Sequence, residues 1–388
     1  MLRLNKTLEG LEQRRLLRGL HTVDSEQASS IVLESKKVLL FSSNNYLGLA
    51  NHPSLKKAAT AAIQKWGVGA GASRLISGNT NLYHLLEEKL ARLKSTPSSL
   101  IFSSGYTANV GTINALVQKN DLILADRLNH ASLIDGCRLS DGTFRIYRHK
   151  DTKQLEKRLS ARKPGQNAWI VTDGIFSMDG DIVPLSEILQ LAEKYDATVY
   201  LDDAHATGVL GPHGGGTADH FHLSSSRLIQ MGTFSKALGG LGGFIAGSKE
   251  LTHFLINKAR SFIYTTALPP SVLAGALAAL DLIDREPHLR TQLWENRHYF
   301  HASVQALGFD TFTSETPIVP LRIGSNEKAI AFSEALLENH IYVPAIRSPT
   351  VPKGSERLRI TLMATHTKEE IDRLLDQLEK HGKALRVL

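Results

Sequence analysis

A single lysine, Lys236, sits in the segment Gly-Thr-Phe-Ser-Lys-Ala-Leu-Gly-Gly-Leu-Gly-Gly-Phe (232–244), between two small hydroxyl residues and a glycine cluster. Such a lysine can serve a phosphate cradle, a flexible hinge, or covalent chemistry through its amine. A P-loop needs four residues between two glycines and then Gly-Lys-Ser/Thr, an order this segment lacks. The glycine run does not follow a strand as a dinucleotide fingerprint does. Residues 67–72, Gly-Val-Gly-Ala-Gly-Ala, carry the fingerprint spacing but follow the helical pattern KKAATAAIQKW. What remains is an amine able to form a Schiff base with an aldehyde and later to act as a base.

Partners for that amine are spread along the chain. Asp202-Asp203-Ala204-His205 follows the apolar run ATVYL. A carboxylate at the end of a buried strand must be paired. It can meet a protonated ring nitrogen while the histidine meets another polar edge, or it can cap a helix. A metal reading is weak, because no complementary His/Cys set has matching spacing, and we expect no metal. Ser103-Ser104-Gly105-Tyr106-Thr107 follows SLIF and opens a helix, so it is either an ordinary tight turn or an anion site built from unpaired N–H groups. His130, after DLILAD, is either a packed surface histidine or an aromatic plate at the cleft. Ser177 lies in a turn-forming run after AWIVTD. Pyridoxal phosphate (PLP) needs an anion site, an acid for its ring nitrogen, a partner for its ring oxygen and a plate for its ring. Gly105 with Tyr106, Asp202, His205 and His130 meet that need in residue type.

The elements that must position these groups alternate. HLLEEKLARL and TANVGTINALVQ have helical spacing. SLIFSSG, DLILAD, AWIVTDG, ATVYLDDA and RLIQMGT are short apolar runs ending in small or polar residues. Strand–helix alternation predicts a mainly parallel sheet covered on both faces, with ligands beyond the carboxyl ends of its strands. The leucine spacing predicts a helix from residue 1 to about 20, and 31–41 reads as a hairpin turning through Glu34 to Lys37. The Ala/Leu run at 271–283 predicts a long helix, and Glu286-Pro287 a break. The division expected is an arm at 1–45, a large α/β domain at 46–285, and a smaller α+β domain at 286–388. The length of 388 residues, 42% hydrophobic, suits such a pair of cores. Lys plus Arg number 45 against 38 Asp plus Glu, a dispersed surplus that disfavours nucleic acid and tolerates an acidic substrate. The lone Cys137 excludes an internal disulfide framework and fits a reducing compartment. With no apolar signal core and no run of roughly 18 apolar residues, the expectation is a cytoplasmic protein with no membrane segment.

Taken together, Asp202-Asp203-Ala204-His205 and Thr233-Phe234-Ser235-Lys236-Ala237 resemble the α-oxoamine synthase family of fold-type I PLP enzymes. So do Ser42-Ser43-Asn44-Asn45-Tyr46-Leu47-Gly48-Leu49, Gly69-Ala70-Gly71-Ala72-Ser73-Arg74 and Gly174-Ile175-Phe176-Ser177-Met178-Asp179-Gly180-Asp181. The likeness covers nearly the whole chain in the same order. It implies a seven-stranded-type, mainly parallel sheet and an acyltransferase that joins an amino acid to an acyl thioester with loss of carbon dioxide. Residues 345–352, Ala-Ile-Arg-Ser-Pro-Thr-Val-Pro, and 357–361, Arg-Leu-Arg-Ile-Thr, are most similar to the biotin-pathway member. Ser348 stands where that member commonly has proline. Its substrates are L-alanine and pimeloyl-CoA or pimeloyl-acyl carrier protein.

The resemblance implies that Lys236 is the Schiff-base lysine, that Asp202 bonds the pyridine nitrogen, that His205 meets the phenolic oxygen and that His130 stacks on the ring. It gives Gly105, Tyr106 and Thr233 to the phosphate and Ser177 to the ring edge. It also implies a homodimer with shared sites, in which Thr265 reaches the neighbouring subunit's phosphate. Arg359 would clamp the amino acid carboxylate, and Arg347, Thr350 and Arg18 would contact the acyl substrate.

Overall fold

The computed structural model describes residues 2–13, 16–17 and 19–388. Thirteen strands are present among them: β1 Ser30–Leu33, β2 Lys36–Leu40, β3 Ser98–Phe102, β4 Leu122–Asp126, β5 Thr143–Tyr147, β6 Ala168–Asp173, β7 Ala197–Asp202, β8 Leu228–Thr233, β9 Gly243–Gly247, β10 Ile318–Arg322, β11 Ile341–Tyr342, β12 Ala345–Ile346 and β13 Arg357–Thr361. Seven of them form one sheet in the order β3-β9-β8-β7-β6-β4-β5. Only β9 runs antiparallel to its neighbours. The expected mainly parallel seven-stranded sheet is therefore present.

Side chains of these strands alternate between two helix-covered faces, as period-2 geometry requires. Leu100, Phe102, Ile123 and Ala125 share an apolar cluster with Ala108, Ile113, Leu133 and Leu255 of the covering helices. Leu122, Leu124, Ile170, Val199 and Leu201 share another with Leu155, Leu159 and Ile188. The strand runs look continuously apolar because both faces are buried. Two strands escaped sequence reading. β5 is an edge strand with three of its five residues exposed, and β9 is a short glycine-bounded run.

The helix expected to reach residue 20 is described over Leu2–Gln13, residues 16, 17, 19 and 20 are not helical, and residues 3–9 are exposed. The hairpin turn is tighter than expected. Glu34 and Ser35 alone form it, with φ of 47° and 67°. A two-residue turn with positive φ matches the twist of the flanking strands, so pairing resumes at Lys36. β2 also pairs in parallel with β11, which hydrogen-bonds the hairpin to the C-terminal region. There β10, β13 and β12 form a second small sheet. The Ala/Leu helix spans Pro270–Arg285, and the next helix starts at His288 beyond the expected break.

Candidate active site

The carboxyl ends of β4, β6, β7 and β8 carry Asp126, Asp173, Asp202 and Thr233. The parallel register sets Asp173 opposite Asp202. Beyond these ends lies a cavity of about 160 Å³ whose lining includes Gly105, Tyr106, His130, Asp202, His205, Thr233 and Lys236. Seven residues singled out in the sequence, from four separate stretches, thus meet at one cavity. Asn109, Ser132 and Asp173 line it too and were not anticipated.

Asp202 is buried and heavily bonded. Its Oδ2 accepts from Asn109 Nδ2 at 2.7 Å and its Oδ1 from the Ala204 N–H at 2.9 Å. The chain turns here instead of starting a helix, so the aspartate caps a turn. Asn109 is oriented by the Tyr200 hydroxyl, which donates to its Oδ1 at 2.9 Å. Signals for both orienting residues were in the sequence. Tyr200 precedes Asp202 by two and shares its face of β7, and Asn109 lies one turn after Gly105 on its helix. Asp203 points away and is satisfied by Lys94 Nζ at 2.9 Å, the Thr217 N–H at 3.0 Å and the Thr217 hydroxyl at 2.6 Å. Burial pulls the Lys236 amine below the ordinary lysine range, while the carboxylates of Asp202 and Asp173 act the other way. The same burial, reinforced by the charge of Asp202, pushes the Asp173 carboxyl well up.

The two histidines are held differently. His130 caps the helix Ala131–Leu139, and its Nδ1 accepts from the Ser132 N–H at 3.3 Å. Since an amide can only donate, a neutral His130 carries its proton on Nε2. Its own N–H donates to Asp173 Oδ2 at 2.7 Å, which ties this turn to the end of β6. The ring is exposed at the mouth, in place to cover a flat ligand. His205 is buried, and its Nδ1 lies 2.7 Å from the Tyr46 hydroxyl. Burial first, then the charges of Lys236, Arg359 and His130, hold it well below the usual histidine range.

The helix Gly105–Leu116 begins with a capping box in which Ser104 and Thr107 satisfy each other. Among the described residues the N–H groups of Gly105 and Tyr106 have no acceptor. A Cβ at Gly105 would lie 2.8 Å from Met231 Cε, so a side chain here would push on the flexible Met231. The Tyr106 hydroxyl donates to Asp135 at 2.7 Å, which leaves its main chain and ring face for a ligand. Thr233 Oγ1 donates to Gly242 O at 2.6 Å and accepts from the Ser235 N–H at 3.1 Å. Gly242 itself has φ of 124° and lies against Phe234 and Leu268. The glycines after Lys236 thus shape the loop rather than hinge it. Unpaired amide donors at a helix N-terminus, a buried carboxylate, a neutral imidazole and a desolvated lysine amine fit a phosphorylated pyridine aldehyde.

Arg359, on β13, is buried close enough for its charge to act on His205 and Lys236. Its Nε donates to Ser177 O at 2.6 Å and its Nη2 to Asn44 Oδ1 at 3.3 Å. Arg357, on the same face of β13, donates to Met178 O at 2.9 Å and Asp179 Oδ1 at 2.7 Å. Ser177 therefore belongs to a loop pinned by two arginines, and it does not line the cavity itself. Arg347 and Thr350 line a separate groove of about 890 Å³ with Leu8, Leu11, Tyr342 and Ile346. Arg18 lies outside the described residues. Thr265 is half-buried outside the cavity, next to exposed Tyr264.

The model of the family described as aminotransferase class I and II matches residues 36–378. The 8-amino-7-oxononanoate synthase of Thermoanaerobacter pseudethanolicus is 48% identical over 99% of this chain and 98% of its own. That of Geobacter sulfurreducens is 49% identical over 98% of each. Among solved structures, serine palmitoyltransferase from S. paucimobilis with a bound PLP–myriocin adduct superposes with a TM-score of 0.94 at 30% identity, covering 99% of this chain and 98% of that one. The 8-amino-7-oxononanoate synthase of Francisella tularensis gives 0.78 at 30% identity over 89% and 98%. This chain belongs to the aminotransferase class I and II family and, within it, to the PLP-dependent 8-amino-7-oxononanoate synthases.

Proposed function

We propose that the chain condenses L-alanine with a pimeloyl thioester, releasing carbon dioxide, the free thiol and 8-amino-7-oxononanoate for biotin synthesis. The observation that carries the assignment of roles is the convergence of Lys236, Asp202, His205 and His130 on one cavity beside unpaired helix-terminal amides. Bound PLP supplies a carbonyl for amines and a sink for the electrons of a carbanion. Lys236 Nζ would hold it and would serve as the base that takes the Cα proton of alanine. The Asp202 carboxylate keeps a proton on the ring nitrogen, His205 meets the phenolic oxygen and His130 covers the ring face. Gly105, Tyr106 and Thr233 receive the phosphate. Arg359 binds the alanine carboxylate from the far wall, and Ser177 supports the ring edge through the loop that Arg359 pins. Arg347 and Thr350 take the acyl substrate in the leucine-lined groove, joined by Arg18.

The same reading takes the chain as a homodimer. Leu75 and Ile76 are exposed close to Tyr264 and Thr265, since the Ala267 N–H donates to Ala72 O at 3.0 Å. A second copy covering that face would bring Thr265 to the partner's phosphate. Among the described residues no helix is long and apolar enough to cross a membrane. A cytoplasmic setting agrees with the buried lone thiol.

Mass spectrometry of products from L-alanine with pimeloyl-CoA, and separately with the carrier-protein thioester, tests the substrates. Product from neither donor rejects them, and product with glycine and acetyl-CoA instead would reassign the chain. Lys236→Ala should lose the visible absorbance of covalently held PLP and at least about 10³-fold in turnover. A variant retaining both rejects the lysine's role.

A further inference from the structure

A neutral imidazole has one N–H and one lone pair, and the partner of either nitrogen decides which carries the proton. For His130 an amide N–H makes that decision. His205 has no such amide. Its Nδ1 faces the Tyr46 hydroxyl at 2.7 Å, a short bond within a buried pair of rings 6.1 Å apart.

Tyr46 is placed for this task by the C-terminal part of the chain. It lies in the turn after Phe41, where the Ala364 N–H donates to its carbonyl at 2.7 Å and the Thr361 N–H to Phe41 O at 2.9 Å. Its ring is 1% exposed. Burial pushes the phenol up to about 12 against the opposing Arg359 charge, so it keeps its hydrogen at any working pH. The other acceptor in reach, Asn44 Oδ1, is 3.4 Å away and already receives Arg359 Nη2. The Arg359 guanidinium draws the lone pairs of the phenol oxygen toward itself, which leaves the O–H to point at the imidazole.

We propose that Tyr46 is a positioning residue: its O–H donates to His205 Nδ1, holds the imidazole as the Nε2–H tautomer and makes His205 a hydrogen-bond donor toward the cavity. Resting on the PLP reading above, that donor meets the phenolic oxygen of the cofactor and favours its anionic form. With the other tautomer the lone pair of Nε2 would face that oxygen and favour its protonated form. The segment Asn44-Asn45-Tyr46 thereby acquires a part in the chemistry that its position in the chain, far from Lys236, did not suggest.

Tyr46→Phe keeps the ring and removes the donor. In the ¹⁵N-histidine spectrum of the apoenzyme, with His205→Gln used for assignment, wild-type His205 should show the lone-pair nitrogen at Nδ1. Tyr46→Phe should move a substantial fraction of the proton to that nitrogen. In the PLP-loaded variant the visible band should fall relative to the near-ultraviolet band. Turnover should drop roughly five- to tenfold with the KM for L-alanine changed less than about twofold, the size of one neutral hydrogen bond. A proton on Nδ1 in the wild type, or an unaltered spectrum in Tyr46→Phe, overturns the tautomer assignment whatever the cofactor does. An unchanged band ratio in the loaded variant overturns the link to the cofactor. Wild-type protein that takes up no PLP rejects the reading of the site instead, and the apoenzyme spectrum still decides the tautomer.

Discussion

His149 offers a sharp test of how the active-site loop is fastened. Its Nδ1 lies 3.0 Å from Asp126 Oδ1 and its Nε2 2.9 Å from Asp181 Oδ2. Asp126 closes β4 just before the turn to His130, and Asp181 belongs to the loop that carries Ser177. Burial acts to lower the imidazole, but bonds and charge from Asp126 and Asp181 outweigh it and raise it from 6.5 to about 9. Asp181 responds in kind: burial acts upward, and His149 and Lys150 hold it below the usual carboxylate range. Because the folded value lies above the unfolded one, the stabilisation is fully present below pH 6.5 and is lost as pH rises through about 9. The gap of roughly 2.5 pH units corresponds to about 3 kcal/mol at 1.36 kcal/mol per unit. The side chain is 25% exposed, so solvent screening takes only part of this. His149→Gln keeps one N–H donor and removes the charge. Urea unfolding should show the variant less stable by about 2–3 kcal/mol at pH 6, with the deficit shrinking toward zero near pH 10. A deficit equal at both pH values, or an NMR titration of His149 centred near 6.5, would refute the reasoning.

Arg359→Lys replaces a planar fork by a point charge, so the KM for L-alanine should rise roughly 10–100-fold while covalently bound PLP is retained. An unchanged KM removes the clamp assignment. Lys94→Met leaves Asp203 buried with only its Thr217 donors, and the expected cost is about 3–5 kcal/mol. Calorimetry should find most of that loss reversed in the Lys94→Met/Asp203→Asn double variant, and a single variant melting with the wild type contradicts the idea. Asp173→Asn imitates the protonated carboxyl that burial and Asp202 favour, so kcat/KM should stay within about threefold, whereas Asp202→Asn should lose at least about 10²-fold. Equal losses from the two, measured by steady-state kinetics, would show that the carboxylates do not divide their roles this way.

Much of the site was legible because its reactive residues end apolar strands, and parallel strands must deliver their ends to one edge. Lys236, Asp202 and Gly105 each follow such a run, and all three reach the cavity. The orienting residues were harder to see. Asn109 and Ser132 sit inside helices, and Asp173 ends a strand like several other acids; only the register that sets it opposite Asp202 singles it out. Tyr46 and Arg359 come from opposite ends of the chain, and their meeting depends on β2 pairing with β11 and on main-chain bonds from the residues after β13. Pairing at such distance leaves no local periodicity to read. The same limit explains β5 and β9, whose exposure and glycines remove the apolar run that identified the other strands.

The division between the two aspartates follows from donors rather than from residue type. Both carboxyls are buried and stand opposite one another on adjacent strands, so two full negative charges would repel in a medium that screens poorly. Asp202 receives an amide side chain and a main-chain N–H, and Asn109 is itself fixed by Tyr200, so the charged form is solvated in place. Asp173 receives one N–H on its side chain, from His130, and its carboxyl is pushed well up by burial and then by Asp202. Asp202 is therefore the better furnished of the two to carry a negative charge, as its proposed role requires, while Asp173 holds the His130 turn in place. Lys236 benefits from the same arrangement. Burial lowers its amine while the charges of the adjacent carboxyl groups oppose that decrease, which suits the proposed role of holding a carbonyl and later accepting a proton.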